Sequence, residues 1–200
     1  MNKAFSQACE NNKRAISQEL VRIFSHKSHA LEIGSGTGQH GVYFAKTLPH
    51  LTWQLSDRHE NHVAILQWQK EYPSKNLLPP IALDVMLDPW PEPIYDAAFS
   101  ANTAHIMPWE AVVAMFLGVS NILKPQGTFC LYGPMKYQGV LEAQSNVAFD
   151  AALREAIPHQ GIRDFEDINA LAKLVGLMLL EDKEMPANNR LLVWQKPDVL

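Results

Sequence analysis

The chain has 200 residues, 47% of them hydrophobic and 19% charged, with a formal charge of −4 and a pI near 6.0. That length suits one domain over residues 1–200 with a proper core, and there is no basic surplus to grip a phosphate backbone, so nucleic acid is not an expected partner. With only Cys9 and Cys130, no signal peptide and no apolar run near the roughly 20 residues that span a bilayer, the expected setting is a reducing cytoplasm without disulfides or membrane.

Phe5, Ala8, Cys9, Ile16, Leu20, Ile23 and Phe24 recur at helical spacing and predict a helix from Phe5 to about Ser25. Its polar positions include Glu10, Asn11, Asn12, Lys13 and Arg14. They form a solvated face, or Asn11 or Asn12 reaches the mouth of a ligand site. A short apolar strand at 29–33 then runs into Gly34-Ser35-Gly36-Thr37-Gly38, followed by an amphipathic helix to about Leu48. Strand, glycine loop, helix is the shape of a nucleotide-binding turn.

Strand two, 52–56, ends on Asp57, and a helix carrying Val63, Ala64, Leu66, Trp68 and Tyr72 stops at Pro73. Strand three, 81–83, ends on Asp84-Val85, before a proline-stiffened loop over 88–93. Strand four, 95–101, ends on Asn102, with His105 shortly after. A helix bearing Val112, Val113, Met115, Phe116, Val119 and Ile122 closes at Lys124-Pro125-Gln126-Gly127 and leads to strand five, 128–132, ending on Gly133-Pro134. Two helices, near 146–156 and 164–175, precede strands at 177–184 and 190–196. The four-residue turn Pro186-Ala187-Asn188-Asn189 between these strands makes them antiparallel, because a parallel crossover needs a dozen residues or more. The fold class is α/β: a seven-stranded, mostly parallel sheet with one antiparallel strand from the C-terminal hairpin.

Ligands of such sheets bind beyond the carboxyl ends of the strands. An acid there on strand two, Asp57, suits ribose, since a carboxylate can accept two hydroxyl hydrogen bonds. A second acid on strand three, Asp84, suits a purine amino group, and Val85 offers a backbone amide to a ring nitrogen. Together they read adenosine. The glycines allow two registers. Gly36-Thr37-Gly38-Gln39-His40-Gly41 matches the dinucleotide fingerprint G-x-G-x-x-G, but the strand ends at Gly34. Read from there, Glu32-x-Gly34-x-Gly36-x-Gly38 resembles the first motif of class I S-adenosylmethionine-dependent methyltransferases, with Gly41 left to helix packing.

The resemblance continues through Asp57, Asp84-Val85, Leu123-Lys124-Pro125-Gln126-Gly127 and the closing hairpin, over about 30–196. At finer grain the chain resembles the methyltransferase-like 26 family (domain of unknown function 938). The segments that carry this are Phe5 to Asn12, Gly34 to His40, Trp109-Glu110-Ala111, Leu131 to Pro134, Ser145 to Asp150 and Met185 to Asn189. The resemblance implies a three-layer Rossmann-like methyltransferase fold and S-adenosyl-L-methionine as cofactor. It implies cofactor-binding roles for Glu32, Gly34, Ser35, Gly36, Gly38, Asp57, Arg58, Asp84, Val85 and Asn102. It places residues 1–28 as a helix near the cofactor and 134–175 on the substrate side.

A sulfonium methyl is already activated, so transfer by in-line displacement needs positioning more than a dedicated base. His105 is the candidate base, since histidine can titrate near neutral pH; otherwise it orients its loop by hydrogen bonds. Asn11, Tyr132, Tyr137 and Asn188, with Asn189, are candidates for the substrate pocket, walled by residues 133–137. His59 and His62 share one helical face without further ligands, so no metal is expected. The expected acceptor is a small molecule or a protein side chain. A NAD-dependent oxidoreductase using the shifted glycine register and a non-catalytic S-adenosylmethionine-binding scaffold are the alternatives.

Overall fold

The computed structural model describes residues 3–92 and 94–198. Seven strands form one sheet in the order β3-β2-β1-β4-β5-β9-β8. They are β1 (His29–Ile33), β2 (Thr52–Asp57), β3 (Leu77–Ala82), β4 (Tyr95–Ala101), β5 (Leu123–Gly133), β8 (Met178–Met185) and β9 (Asn189–Gln195). Strands β1 to β5 pair in parallel, and β9 runs antiparallel to both β5 and β8. Six strands therefore point one way and β9 alone points back, as so short a turn requires; it has three residues, 186–188, rather than the four expected, because Asn189 already pairs in β9. A separate two-stranded pair, β6 (Met135–Lys136) with β7 (Arg163–Asp164), was not legible in the sequence.

The helices are α1 (Gln7–Ile23), α2 (Gln39–Thr47), α3 (His62–Glu71), α4 (Trp109–Ile122), α5 (Gln144–Ala156) and α6 (Phe165–Leu174). Ser6 starts α1 by accepting a bond from the amide of Cys9, a normal N-cap. Each face of the sheet carries its own core. On the α1–α2–α3 face, Phe24, Phe44, Trp53 and Phe99 are fully buried and meet ring to ring, Phe44 lying 5.4 Å from both Trp53 and Phe99. On the other face, Phe116, Phe129 and Trp194 do the same beneath α4 and α6. Each such side chain contributes roughly 1.5–3 kcal/mol by leaving water. Helix α5 contributes to neither core and has no buried residue.

Two strands begin earlier than the sequence pattern predicts. β3 runs through Pro79 and Pro80, which fall where the register against β2 shifts between Gln54 and Ser56. A proline withholds a ladder donor, and an edge strand at a bulge tolerates that. β5 begins at Leu123, ahead of a register shift against β4; Gln126, with φ of 62°, makes the turn. Among the described residues, no helix is long and apolar enough to cross a membrane.

Strand order places the ends of β1, β2, β3, β4 and β5 side by side, and the lower half of the molecule only supports them. One support is unusually tight: a Cβ on Gly118 of α4 would lie 1.9 Å from the ring of Trp90. Gly118→Ala is therefore expected to destabilise the protein by about 1–3 kcal/mol through overpacking, despite the roughly 1 kcal/mol that alanine gains in a helix. Equilibrium unfolding in urea reads the difference, and a variant as stable as the native chain would remove the Trp90 contact from the core.

Candidate functional site

The site is built on the end of β1. Its last carbonyls are taken by neighbouring hydroxyls: Ser56 Oγ donates to Glu32 O at 2.6 Å and Ser100 Oγ to Ile33 O at 2.8 Å. The amides of Gly34 and Ser35 both donate to Ser56 O, at 3.1 and 3.0 Å. The chain then turns sharply through Gly34, Gly36 and Gly38, all at positive φ (73°, 59° and 86°). The turn needs glycine twice over at Gly34, where a Cβ would also sit 2.6 Å from Thr103 Cγ2. A Cβ on Gly36 would meet nothing within 4 Å, so the crest of the loop faces open space. Gly41 serves packing: its Cβ would meet Leu55 Cδ2 at 2.2 Å and Glu32 Oε2 at 2.8 Å.

Asp57, at the end of β2, ties this loop down. Its Oδ2 accepts the Gly36 amide at 2.6 Å, and its Oδ1 accepts the Arg58 amide at 2.7 Å and Asn61 Nδ2 at 2.8 Å. A carboxylate offers about four acceptor positions. Oδ1 is filled and Oδ2 keeps one, so here Asp57 has room for one ribose hydroxyl rather than two. Arg58 joins through its backbone; its guanidinium pairs with Glu60 at 3.2 Å on the surface. Asp84 begins a tight turn, its carboxylate accepting Met86 N at 3.0 Å while its own amide donates to Asp88 Oδ2 at 2.6 Å. Val85 O accepts Trp90 Nε1 at 3.3 Å. Leu83 N donates to Asp57 O at 3.0 Å, which sets the ends of β2 and β3 level.

Glu32 lies beneath the loop rather than on its surface. It is 2% exposed, and Trp53 Nε1 donates to its Oε2 at 2.8 Å. Burial pushes its carboxyl up to about 8, against the opposing pull of the Trp53 bond and with Asp57 adding to the rise. At neutral pH Glu32 is a protonated wedge between β1, β2 and α2, not the charged group its sequence position suggests.

Helix α1 reaches the first residues of α2. Ser6 N donates to Gln39 Oε1 at 2.5 Å, Gln39 Nε2 to Glu10 Oε1 at 2.8 Å, and His40 Nε2 faces Asn12 Oδ1 at 2.7 Å. Burial pushes His40 down to about 4, so the neutral ring donates to Asn12. Asn11 points elsewhere: it accepts from Gln7 on the exposed face of α1. Of the two asparagines it is Asn12 that turns inward. Gln39 and His40 carried no sequence signal beyond their place after the loop.

On the β4–β5 side, Asn102 has φ of 58°, a left-handed conformation rare outside glycine and asparagine. Its amide donates to Tyr132 O at 2.8 Å. Asn102 Oδ1 and His105 Nδ1 both converge on Gly133, where a Cβ would lie 4.0 and 3.7 Å from them. The edge of Phe149, from α5, stands 5.3 Å from the His105 ring. His105 does not titrate near neutrality. Burial, with the Arg163 charge adding to it, pushes it down to about 4. Tyr132 is 2% exposed at the end of β5. Tyr137 is committed by its hydroxyl to Asp182 Oδ2 at 2.8 Å, and Arg190 Nε holds the same carboxylate at 2.7 Å. Asn188 sits at the hairpin tip with φ of 56°. It receives Asn146 Nδ2 on its carbonyl at 3.0 Å and donates Nδ2 to Ser145 Oγ at 3.2 Å, which fastens α5 to the hairpin. Asn189 caps the turn from within, its Nδ2 donating to Pro186 O at 3.1 Å. Among the described residues, no group of three or more His, Cys, Asp or Glu side chains could hold a metal ion.

Two outcomes test this geometry. Asp57→Ala is expected to weaken S-adenosylhomocysteine binding at least about tenfold, the worth of a lost charge-assisted bond; calorimetry showing unchanged affinity would refute the ribose role. Glu32 holds its proton to about 8 when folded and ionises at an ordinary carboxylate pKa of about 4.3 when unfolded. The folded state thus binds more protons between these values, and stability falls as pH rises through that window. Glu32→Gln should therefore gain on the native chain between pH 5 and 9, by at most about 5 kcal/mol. Melting curves across pH check this; a constant offset between the two proteins contradicts a protonated Glu32.

The same architecture recurs in solved structures. The S-adenosylmethionine-dependent methyltransferase SibL superposes with a TM-score of 0.82 at 15% identity, over 96% of this chain and 56% of that one. Human N-acetylserotonin methyltransferase, solved with S-adenosylmethionine, gives 0.79 at 15% identity over 96% and 53%. The mitomycin 7-O-methyltransferase MmcR gives 0.76 at 16% identity over 92% and 56%. At these identities the likeness shows a Rossmann-like methyltransferase fold, and the chain spans a little over half the length of each. The family described as "Protein of unknown function (DUF938)" matches residues 3–196. The chain belongs to the DUF938 family, on a class I methyltransferase fold.

Proposed function

We propose that the protein is an S-adenosyl-L-methionine-dependent methyltransferase acting on a small-molecule acceptor. The carrying observation is the open left-handed loop Gly34–Gly38 held by Asp57 at 2.6 Å, with Asp84 two residues past the end of β3, next to Leu83, whose amide donates to Asp57 O. These residues fit an adenosine-bearing sulfonium. The loop crest has room above Gly36, Asp57 Oδ2 keeps one acceptor position for a ribose hydroxyl, and the Asp84 carboxylate is an acceptor of the kind a purine amino group bonds. Fold neighbours solved with S-adenosylmethionine or S-adenosylhomocysteine support the same ligand.

The cofactor, when bound, supplies an activated methyl group. The chain's own part is to hold and orient. Asn102 and His105 flank Gly133, and Phe149 offers an aromatic wall to His105. A neutral His105 can accept a hydrogen bond from an acceptor hydroxyl and fix its lone pair toward the methyl, which is positioning catalysis. With so weak a base, full removal of an alcohol proton is not its task. A protein side chain as acceptor is the broader form of this reading. The two cysteines are free, one buried in β5 and one half-buried in α1, which suits a reducing cytoplasm.

S-adenosylhomocysteine at 100 times its Kd should add about 2.7 kcal/mol, or roughly 5–10 °C in Tm for a chain of this size, while NAD should add nothing. Stabilisation by NAD alone sinks the proposal. Methyl-labelled cofactor with fractionated metabolites then separates an enzyme from a scaffold: label should enter the small-molecule fraction and fall at least about tenfold with His105→Ala. Label in no fraction leaves the scaffold.

A further inference from the structure

Behind His105 lies an arginine that the sequence gives no reason to single out. Arg163, in β7, spends its guanidinium on backbone carbonyls: Nε donates to Ala104 O at 2.9 Å, and Nη2 donates to Met107 O and, at 3.1 Å, to His159 O. Ala104 and Met107 lie on either side of His105 in the turn that follows β4. The adjoining Gly161 amide donates to the carbonyl of His105 itself at 2.9 Å. Residues 159–163 thus grip the whole turn 104–107 by its main chain. The same segment seats α5, because Asp150 Oδ1 accepts the Ile162 amide at 2.6 Å while its Oδ2 holds Arg154 Nε at 2.8 Å.

Three donors in a rigid fork suit this task, and a lysine could not reach all three carbonyls. Among the described residues, no carboxylate forms an ion pair with Arg163. The charged groups around it are Asp150 and Arg154 from α5 and Glu110 from α4, with Lys136 of β6 near Asp150. None of these bonds to the His105 ring.

We propose that Arg163 is the positioning residue of the acceptor side: its fork splints the 104–107 turn so that His105 faces Asn102 and Gly133. This rests on the reading of His105 as the residue that meets the acceptor.

The test needs no acceptor. The His105 ring signal, assigned with His105→Gln, is followed by NMR from pH 3.5 to 8 in the native protein, Arg163→Met and Arg163→Lys, with Tm, S-adenosylhomocysteine affinity and amide exchange alongside. In Arg163→Met the His105 ring signals should shift and amide exchange at 105–107 should speed up at least about tenfold, with cofactor affinity changed less than about twofold. Arg163→Lys should speed exchange at 105–107 as much as methionine does, since it keeps the charge but loses the fork. Unshifted His105 ring signals in Arg163→Met, or native-like exchange in Arg163→Lys, overturns the proposal. Should Arg163→Met fail to fold, the lysine variant decides by exchange. If these shifts occur but methyl transfer survives His105→Ala, the reading of His105 falls and the role of Arg163 in the turn stands.

Discussion

Three hydrogen bonds onto one carboxylate hold the upper half of this molecule in register. Asp57 takes the Gly36 amide, its neighbour's amide and the Asn61 side chain, and so joins the loop after β1 to the end of β2 and the start of the following helix. A loop with three residues in left-handed conformations has little reason to stay put by itself, because each glycine is free in the unfolded chain and loses most on ordering. The carboxylate offsets that cost with charge-assisted bonds of about 1.5–3 kcal/mol each. The neighbouring strand ends are set around this point. Ser56 and Ser100 fix the end of β1 from either side, Leu83 levels β3 with β2, and Asn102 hangs from Tyr132 on the far side.

Below that level the molecule divides its labour between two aromatic cores, one per face of the sheet. The face under α1, α2 and α3 also contains a deeply buried acid, Glu32, against the indole of Trp53. An apolar residue there would leave the Trp53 N–H without a partner, a loss of about 1–3 kcal/mol. A charged residue would be worse. Protonated glutamic acid is the compromise, and it ties the shape of the loop to the packing beneath it. The hydroxyl, amide and carboxyl groups of the site are thus supported from underneath by aromatic packing.

Much of this was legible in the sequence because it is local. The glycine spacing, the acids at or just past the ends of β2 and β3, and the short turn that reverses β9 each follow from a few consecutive residues. The failures are equally physical. Pro79 and Pro80 hid the start of β3, because a bulge on an edge strand forgives prolines that a central strand would not. Arg163 gave no signal, and Gln39 none beyond its place in the Gly34–His40 segment, since they act mainly through partners 56 to 59 and 29 to 33 residues away in sequence. Asn11 and Asn12 are adjacent on a helix, and only tertiary packing decides which one faces His40. The ionisation of Glu32 and His105 is set by depth, a property no spacing rule reports.

Helix α5 gives neither core a single buried side chain, yet its Phe149 meets the His105 ring, and it is pinned by Asp150 and by the asparagine contacts to the hairpin. Its attachment is almost wholly polar and peripheral. Apart from those anchoring residues, the helix can therefore change in sequence at little cost to either core.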